Sequence, residues 1–168
     1  MKSERVNLIR IVGLSVASCL IYTLLLGASY QYFYTAAAKL ALFLAAPVCY
    51  YFLSKRGRLA DLFCLRGDKK YIKISAWLGV AAFAAVITAF FALRKQLDAQ
   101  MILDGLAKEG ITKAAYPYVF VHIVVINALL EEVFFRGFVF LTLFRLGFQR
   151  FAYVFSSVLF ALYHIAMM

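Results

Sequence analysis

The chain has 168 residues, 65% of them hydrophobic and 17% aromatic, with a mean hydropathy of +0.87. A soluble domain of this length must show polar surface to water and has no use for so much apolar side chain. The 18 Lys and Arg against 8 Asp and Glu give a net charge of +10. These cations cluster between apolar runs, where they orient membrane helices, rather than forming a continuous basic face. The expected partner is therefore membrane lipid, and nucleic acid is not expected. Cys19, Cys49 and Cys64 are odd in number and lack metal-ligand spacing, and the first two lie in apolar runs, so no disulfide framework is expected.

Five segments are apolar enough to cross ~30 Å of hydrocarbon, which takes about 20 helical residues. The fold class expected is all-α, a polytopic transmembrane bundle of about five spanning helices. The first segment runs from Val6 to Tyr30 and tolerates Arg10. Within it, Val16-Ala17-Ser18-Cys19 resembles a lipoprotein cleavage box, but the apolar run continues to Ala28, long enough to span rather than be removed. The second runs from Tyr32 to Leu53, interrupted by Lys39 and Pro47, and the third from Ile74 to Leu93. Between them, 59–65 could form a short interfacial helix or an ordinary basic loop. Residues 94–115 look amphipathic and solvent-facing. The fourth segment runs from Pro117, a residue suited to a first helical turn, to Leu143; the fifth from Phe151 to Met168 is barely long enough. Open sheets cannot satisfy their backbone in lipid, so strands are not expected.

The loop between segments two and three carries Lys55, Arg56, Arg58, Arg66, Lys69, Lys70 and Lys73. By the positive-inside rule it is cytoplasmic, and so is the N-terminus. Segment four then runs inward and segment five outward in the cell membrane.

Two adjacent carboxylates, Glu131 and Glu132, lie within segment four. Ionisable groups at that depth are costly and tend to face a cavity or a partner. Arg136 lies four residues after Glu132, on the same helical face and in the favourable order, so the two can neutralise one another as a buried pair. Glu131 is turned away from that pair, shares its face with Asn127 and Phe135, and should find its partner in another helix. Segment five offers His164. Glu131 lies fourteen residues before Arg145 and His164 fourteen after Arg150, so in straight helices both sit about 21 Å from the basic turn. An antiparallel hairpin would bring them to one level. A carboxylate facing an imidazole in a restricted cavity can deprotonate water for attack on an amide. On polarity alone, a buried ion-pair network that only holds helices together remains open.

Glu131-Glu132-Val133-Phe134-Phe135-Arg136-Gly137 matches a Glu-Glu-x-x-x-Arg motif, and Phe160-Ala161-Leu162-Tyr163-His164 a Phe-x-x-x-His motif one helix later. Together they resemble the CPBP family, the CAAX prenyl protease and bacteriocin-processing intramembrane endopeptidases, also called Abi. The resemblance covers 116–168, a partial protease core, and leaves 1–115 as N-terminal transmembrane helices and loops. It implies a glutamate-dependent endopeptidase in which Glu131 and His164 activate water, Glu132 and Arg136 support them, and Phe160 packs beside the imidazole. The substrates it implies are peptides or proteins, prenylated or bearing a leader. No cofactor is expected. A metal-free site is favoured, because the His-Glu-x-x-His spacing of a zinc helix is absent.

Family members carry a later His–Asn motif, thought to form the oxyanion site, whereas this sequence stops four residues after His164. His122 lies about 180° around the helix from Glu131 and reads as a packing or lipid-facing residue. One oxyanion donor is worth ~10²–10³ in rate, so the 168 residues alone are expected to cleave little, as a truncated product, a fragment or a degenerate relative. The alternatives are a non-catalytic membrane immunity or scaffold protein on the same fold, and an ion- or proton-coupled carrier, against which the lack of an inverted second half speaks. Cysteine-accessibility labelling tests the orientation: position 69 should be protected from outside intact cells and position 108 reactive, and external labelling at 69 would reverse it.

Overall fold

The computed structural model describes residues 2–28, 31–54, 62, 69–96 and 98–166. Among them there are helices and turns and no strand. α1 (Lys2–Ala28), α2 (Tyr32–Ser54), α3 (Lys69–Leu93) and the short α4 (Ala99–Lys108) are followed by the long α5 (Tyr116–Arg145) and by α6 (Gln149–Ile165). This is an all-α membrane protein. Among the described residues, four helices (α1, α2, α3 and α5) are long and apolar enough to cross a bilayer. The fifth expected span, α6, has 17 residues, about 25 Å at 1.5 Å per residue, and falls short of the ~30 Å core.

α1 and α2 form an antiparallel hairpin, and α5 and α6 form a second one packed against it. Arg10, which looked misplaced in an apolar run, donates from Nη1 to the Leu53 carbonyl at 3.0 Å. It thereby satisfies one of the carbonyls that the end of α2 leaves without an intrahelical donor. The shared core is aromatic: Phe43 of α2 stacks on Phe134 of α5 at 4.1 Å between ring centres and meets Phe135 edge-on. Tyr22 and Tyr163 close this cluster from α1 and α6. α3 takes no part, since all its described side chains are exposed. The amphipathic stretch after it becomes α4, capped by Asp98, whose carboxylate accepts from the Gln100 and Met101 amides at 2.9 and 3.1 Å. The possible interfacial helix at 59–65 lies outside the described residues except for Leu62.

Two local features set the site. Gly147 ends α5 with φ +90°, a conformation that suits a residue without Cβ; the Phe148 amide reaches back to the Leu143 carbonyl at 3.1 Å. This tight reversal sends α6 back along α5. In addition, α5 is not uniformly α-helical: His122–Asn127 and Glu132–Leu141 are π-helical. Such wide turns are rare and occur often at functional sites. The Phe135 carbonyl, inside the second π stretch, accepts from Ser156 Oγ of α6 at 3.2 Å.

Gly137 explains the glycine that follows the motif arginine. A Cβ there would lie 2.7 Å from the Leu62 carbonyl oxygen, so the 62 backbone sits directly on this turn of α5. Gly137→Ala should force the two apart and lower folded yield by about 1–3 kcal/mol of overpacking, read as a drop in thermal stability in detergent; a neutral Gly137→Ala would show that the contact gives way freely.

Candidate active site

α5 carries the motif carboxylates, α6 brings the histidine, and α2 adds a group not singled out in the sequence as a site residue. Glu131 is largely buried between the two hairpins. Its Oε2 lies 3.8 Å from Nε2 of His164, so the structure brings together the two residues expected to share a level. Nδ1 of His164 is 2.9 Å from the Phe160 carbonyl. A carbonyl can only accept, so Nδ1 carries a proton in this contact, and Nε2 is the nitrogen that faces Glu131. The Phe160 ring lies 4.1 Å from the imidazole and edge-on to Phe135 at 5.1 Å. Backbone and ring packing therefore fix the orientation of His164.

The added residue is Lys39. Its ammonium lies 2.5 Å from Glu131 Oε1 and 2.5 Å from Asn127 Oδ1, with Lys39 only 5% and Glu131 15% exposed in their side chains. Asn127 Nδ2 also donates to Glu131 Oε1 at 3.3 Å. The rings of Tyr22, Phe43 and Tyr163 surround the ammonium at 5.8, 5.6 and 5.1 Å, within cation–π range. Two expectations are corrected by this arrangement. Glu131 does have a partner in its own helix, Asn127, and its strongest contact is a lysine rather than the histidine. The buried ion pair is Lys39–Glu131; Glu132 and Arg136 do pair, but with side chains 50% and 71% exposed. Lys39 carried a usable signal, a lone cation deep in an apolar run, to which the rule that drew attention to Glu131 applies equally.

Glu131, Glu132 and Arg136 line one side of an open groove of about 450 Å³, with Phe160, Ser156 and Ser157 of α6 opposite. His122 stays away from this groove: its Nδ1 lies 2.7 Å from the Tyr32 hydroxyl, with the rings edge-on, so it joins α5 to α2. Among the described residues, no three His, Cys, Asp or Glu side chains converge as a metal site would require.

Chemically, the arrangement presents two bases side by side. One carboxylate oxygen is tied down by Lys39 and Asn127 and the other is aimed at the imidazole. At 3.8 Å the two groups are too far apart for a direct hydrogen bond, and a water molecule can bridge them.

Breaking a buried pair by removing one partner costs about 3–5 kcal/mol, because the other charge is left uncompensated. Lys39→Met should therefore destabilise strongly, and Lys39→Met combined with Glu131→Gln should recover much of the loss. Simple additivity of the two losses in a thermal-shift cycle would show that Lys39 and Glu131 do not depend on one another.

No curated protein and no solved structure matches the chain. Residues 113–168 match the family model described as type II CAAX prenyl endopeptidase Rce1-like, the same stretch that holds both motifs and the α5–α6 hairpin. That match covers a third of the chain, and with the paired motifs it makes the segment 113–168 similar to type II CAAX prenyl endopeptidases.

Proposed function

We propose that the chain is an intramembrane glutamate-dependent endopeptidase of the CAAX protease type, in which Glu131 and His164 activate the water. The observation that carries this reading is the Glu131 Oε2–His164 Nε2 separation of 3.8 Å, with Nδ1 committed to the Phe160 carbonyl. Water held between the two bases gives up a proton to Glu131 as its oxygen attacks the scissile carbonyl. The tetrahedral adduct then collapses, the C–N bond breaks, and the proton passes from Glu131 to the departing amine. His164 orients the water throughout and shares the charge that develops on it. The groove beside Glu131 takes the peptide, and the family match to prenyl endopeptidases supports a prenylated carboxyl-terminal tail over a leader peptide.

A non-catalytic reading of the same cluster rests on Lys39: a carboxylate held at 2.5 Å by a buried ammonium could serve only to join α2 to α5. The two readings part at Glu131→Gln, which removes the base; because it also leaves the Lys39 ammonium uncompensated, rates are compared per folded molecule. In a liposome preparation that cleaves a farnesylated peptide, Glu131→Gln and His164→Ala should each lower kcat by about 10²–10⁴, the usual contribution of a positioned general base. Undiminished cleavage by Glu131→Gln would remove the assignment. Failure of every preparation of the chain, including one extended through a later helix, to cut prenylated or leader peptides would favour the non-catalytic reading.

A further inference from the structure

A second cavity reaches Lys39 and Asn127, the two residues that hold Glu131 Oε1. It occupies about 430 Å³ between α1, α2 and the first turns of α5. Its polar lining runs in depth order. Glu109 is exposed, next to the start of α2, whose Tyr32 amide donates to the Glu109 carbonyl at 3.1 Å. The Tyr32–His122 pair follows, then buried Thr35, and at the bottom Lys39 and Asn127, the two residues that hold Glu131 Oε1. From Tyr32 to Lys39 is seven residues of α2, about 10 Å of descent.

We propose that this cavity is a hydrated passage that brings water from the membrane surface to the Glu131 carboxylate, by a route distinct from the groove assigned to substrate. Hydrolysis inside a membrane needs water at a depth where hydrocarbon offers none; in that sense the inference rests on the hydrolytic reading. Apolar cavities stay dry, whereas a cavity fills when each water finds two to four polar partners and on the order of 10–15 Å³ of space. Both conditions are met here. The side chains of Tyr32, Thr35, Lys39, Glu109, His122 and Asn127 supply donors and acceptors at successive depths, and the volume accommodates a file of waters rather than one. Each of these polar residues has a protein partner, Tyr32 for His122 and Glu131 for Lys39 and Asn127, and a common wet passage lowers the desolvation cost that remains. Lys39 and Asn127 then serve two functions, fixing one oxygen of the base and forming the floor on which arriving water rests. Substrate in the α5–α6 groove would leave this passage clear, so the site can be resupplied with water while it is occupied.

The test uses the full chain in liposomes, in a Cys19→Ala, Cys49→Ala, Cys64→Ala background, with a permanently charged thiol reagent. Asn127→Cys places a thiol on the floor of the cavity, and Leu40→Cys places one on the exposed outer face of α2 at almost the same depth. Cysteines in apolar surroundings are inert, so position 127 should react at least about tenfold faster than position 40. Filling the passage with Ala36→Phe, which lines it, should slow position 127 by a similar factor, whereas Ser157→Phe in the substrate groove should not. Thr35→Cys provides a second reporter should Asn127→Cys fold poorly. Equal inertness at 127 and 40, or slowing by Ser157→Phe instead of Ala36→Phe, overturns the proposal. These readouts need no proteolysis, so they separate the passage from the protease assignment. Where cleavage is measurable, Ala36→Phe should lower kcat and leave KM unchanged, and an unaltered kcat would also count against the passage.

Discussion

The contact on which the rest of the structure depends is the ammonium of Lys39 against the carboxylate of Glu131. Neither charge can be left alone among hydrophobic helices, and each removes the greater part of the other's cost of burial. Their meeting fixes α2 against α5 at one depth. It also decides what the carboxylate can do, since one oxygen is occupied and the other is left to face α6. The aromatic cluster of Phe43, Phe134, Phe135, Tyr22 and Tyr163 surrounds this contact. The hydrocarbon packing of the two hairpins and the polar centre are therefore a single arrangement, in which ring faces contribute to holding the cation.

Much of this was legible in the sequence. The apolar runs located α1, α2, α3 and α5 to within a few residues, because hydropathy over some twenty residues reports directly on a helix that must satisfy its own backbone in lipid. The equal counts from the basic turn to Glu131 and to His164 placed both at one level, and the hairpin reversed by Gly147 keeps them there. The match over 113–168 agrees with the motifs, which are short but ordered.

What escaped the reading did so for physical reasons. In the sequence Lys39 is only an interruption of α2, since pairing between segments that lie 92 residues apart leaves no local pattern. The exposure of Glu132 and Arg136 depends on which side of α5 other helices cover, and helical spacing alone carries no such information. The π-helical turns have no sequence signature, because i→i+5 bonds are selected by the packing of neighbouring helices rather than by local propensity.

The wide turns of α5 also bear on how this helix tolerates change in length. A π stretch accommodates surplus residues within a helix that α-helical bonding would have to place elsewhere. Between Glu132 and Leu141, removal of one residue can be absorbed by reverting to tighter turns, with the flanking helix remaining continuous. The same removal between Ala128 and Glu131, where bonding is already α-helical, has no such slack and would rotate the carboxylate away from both α2 and α6. Insertions and deletions in natural variants of this helix should therefore collect in the two π stretches, His122–Asn127 and Glu132–Leu141, leaving the spacing from Asn127 to Glu131 untouched.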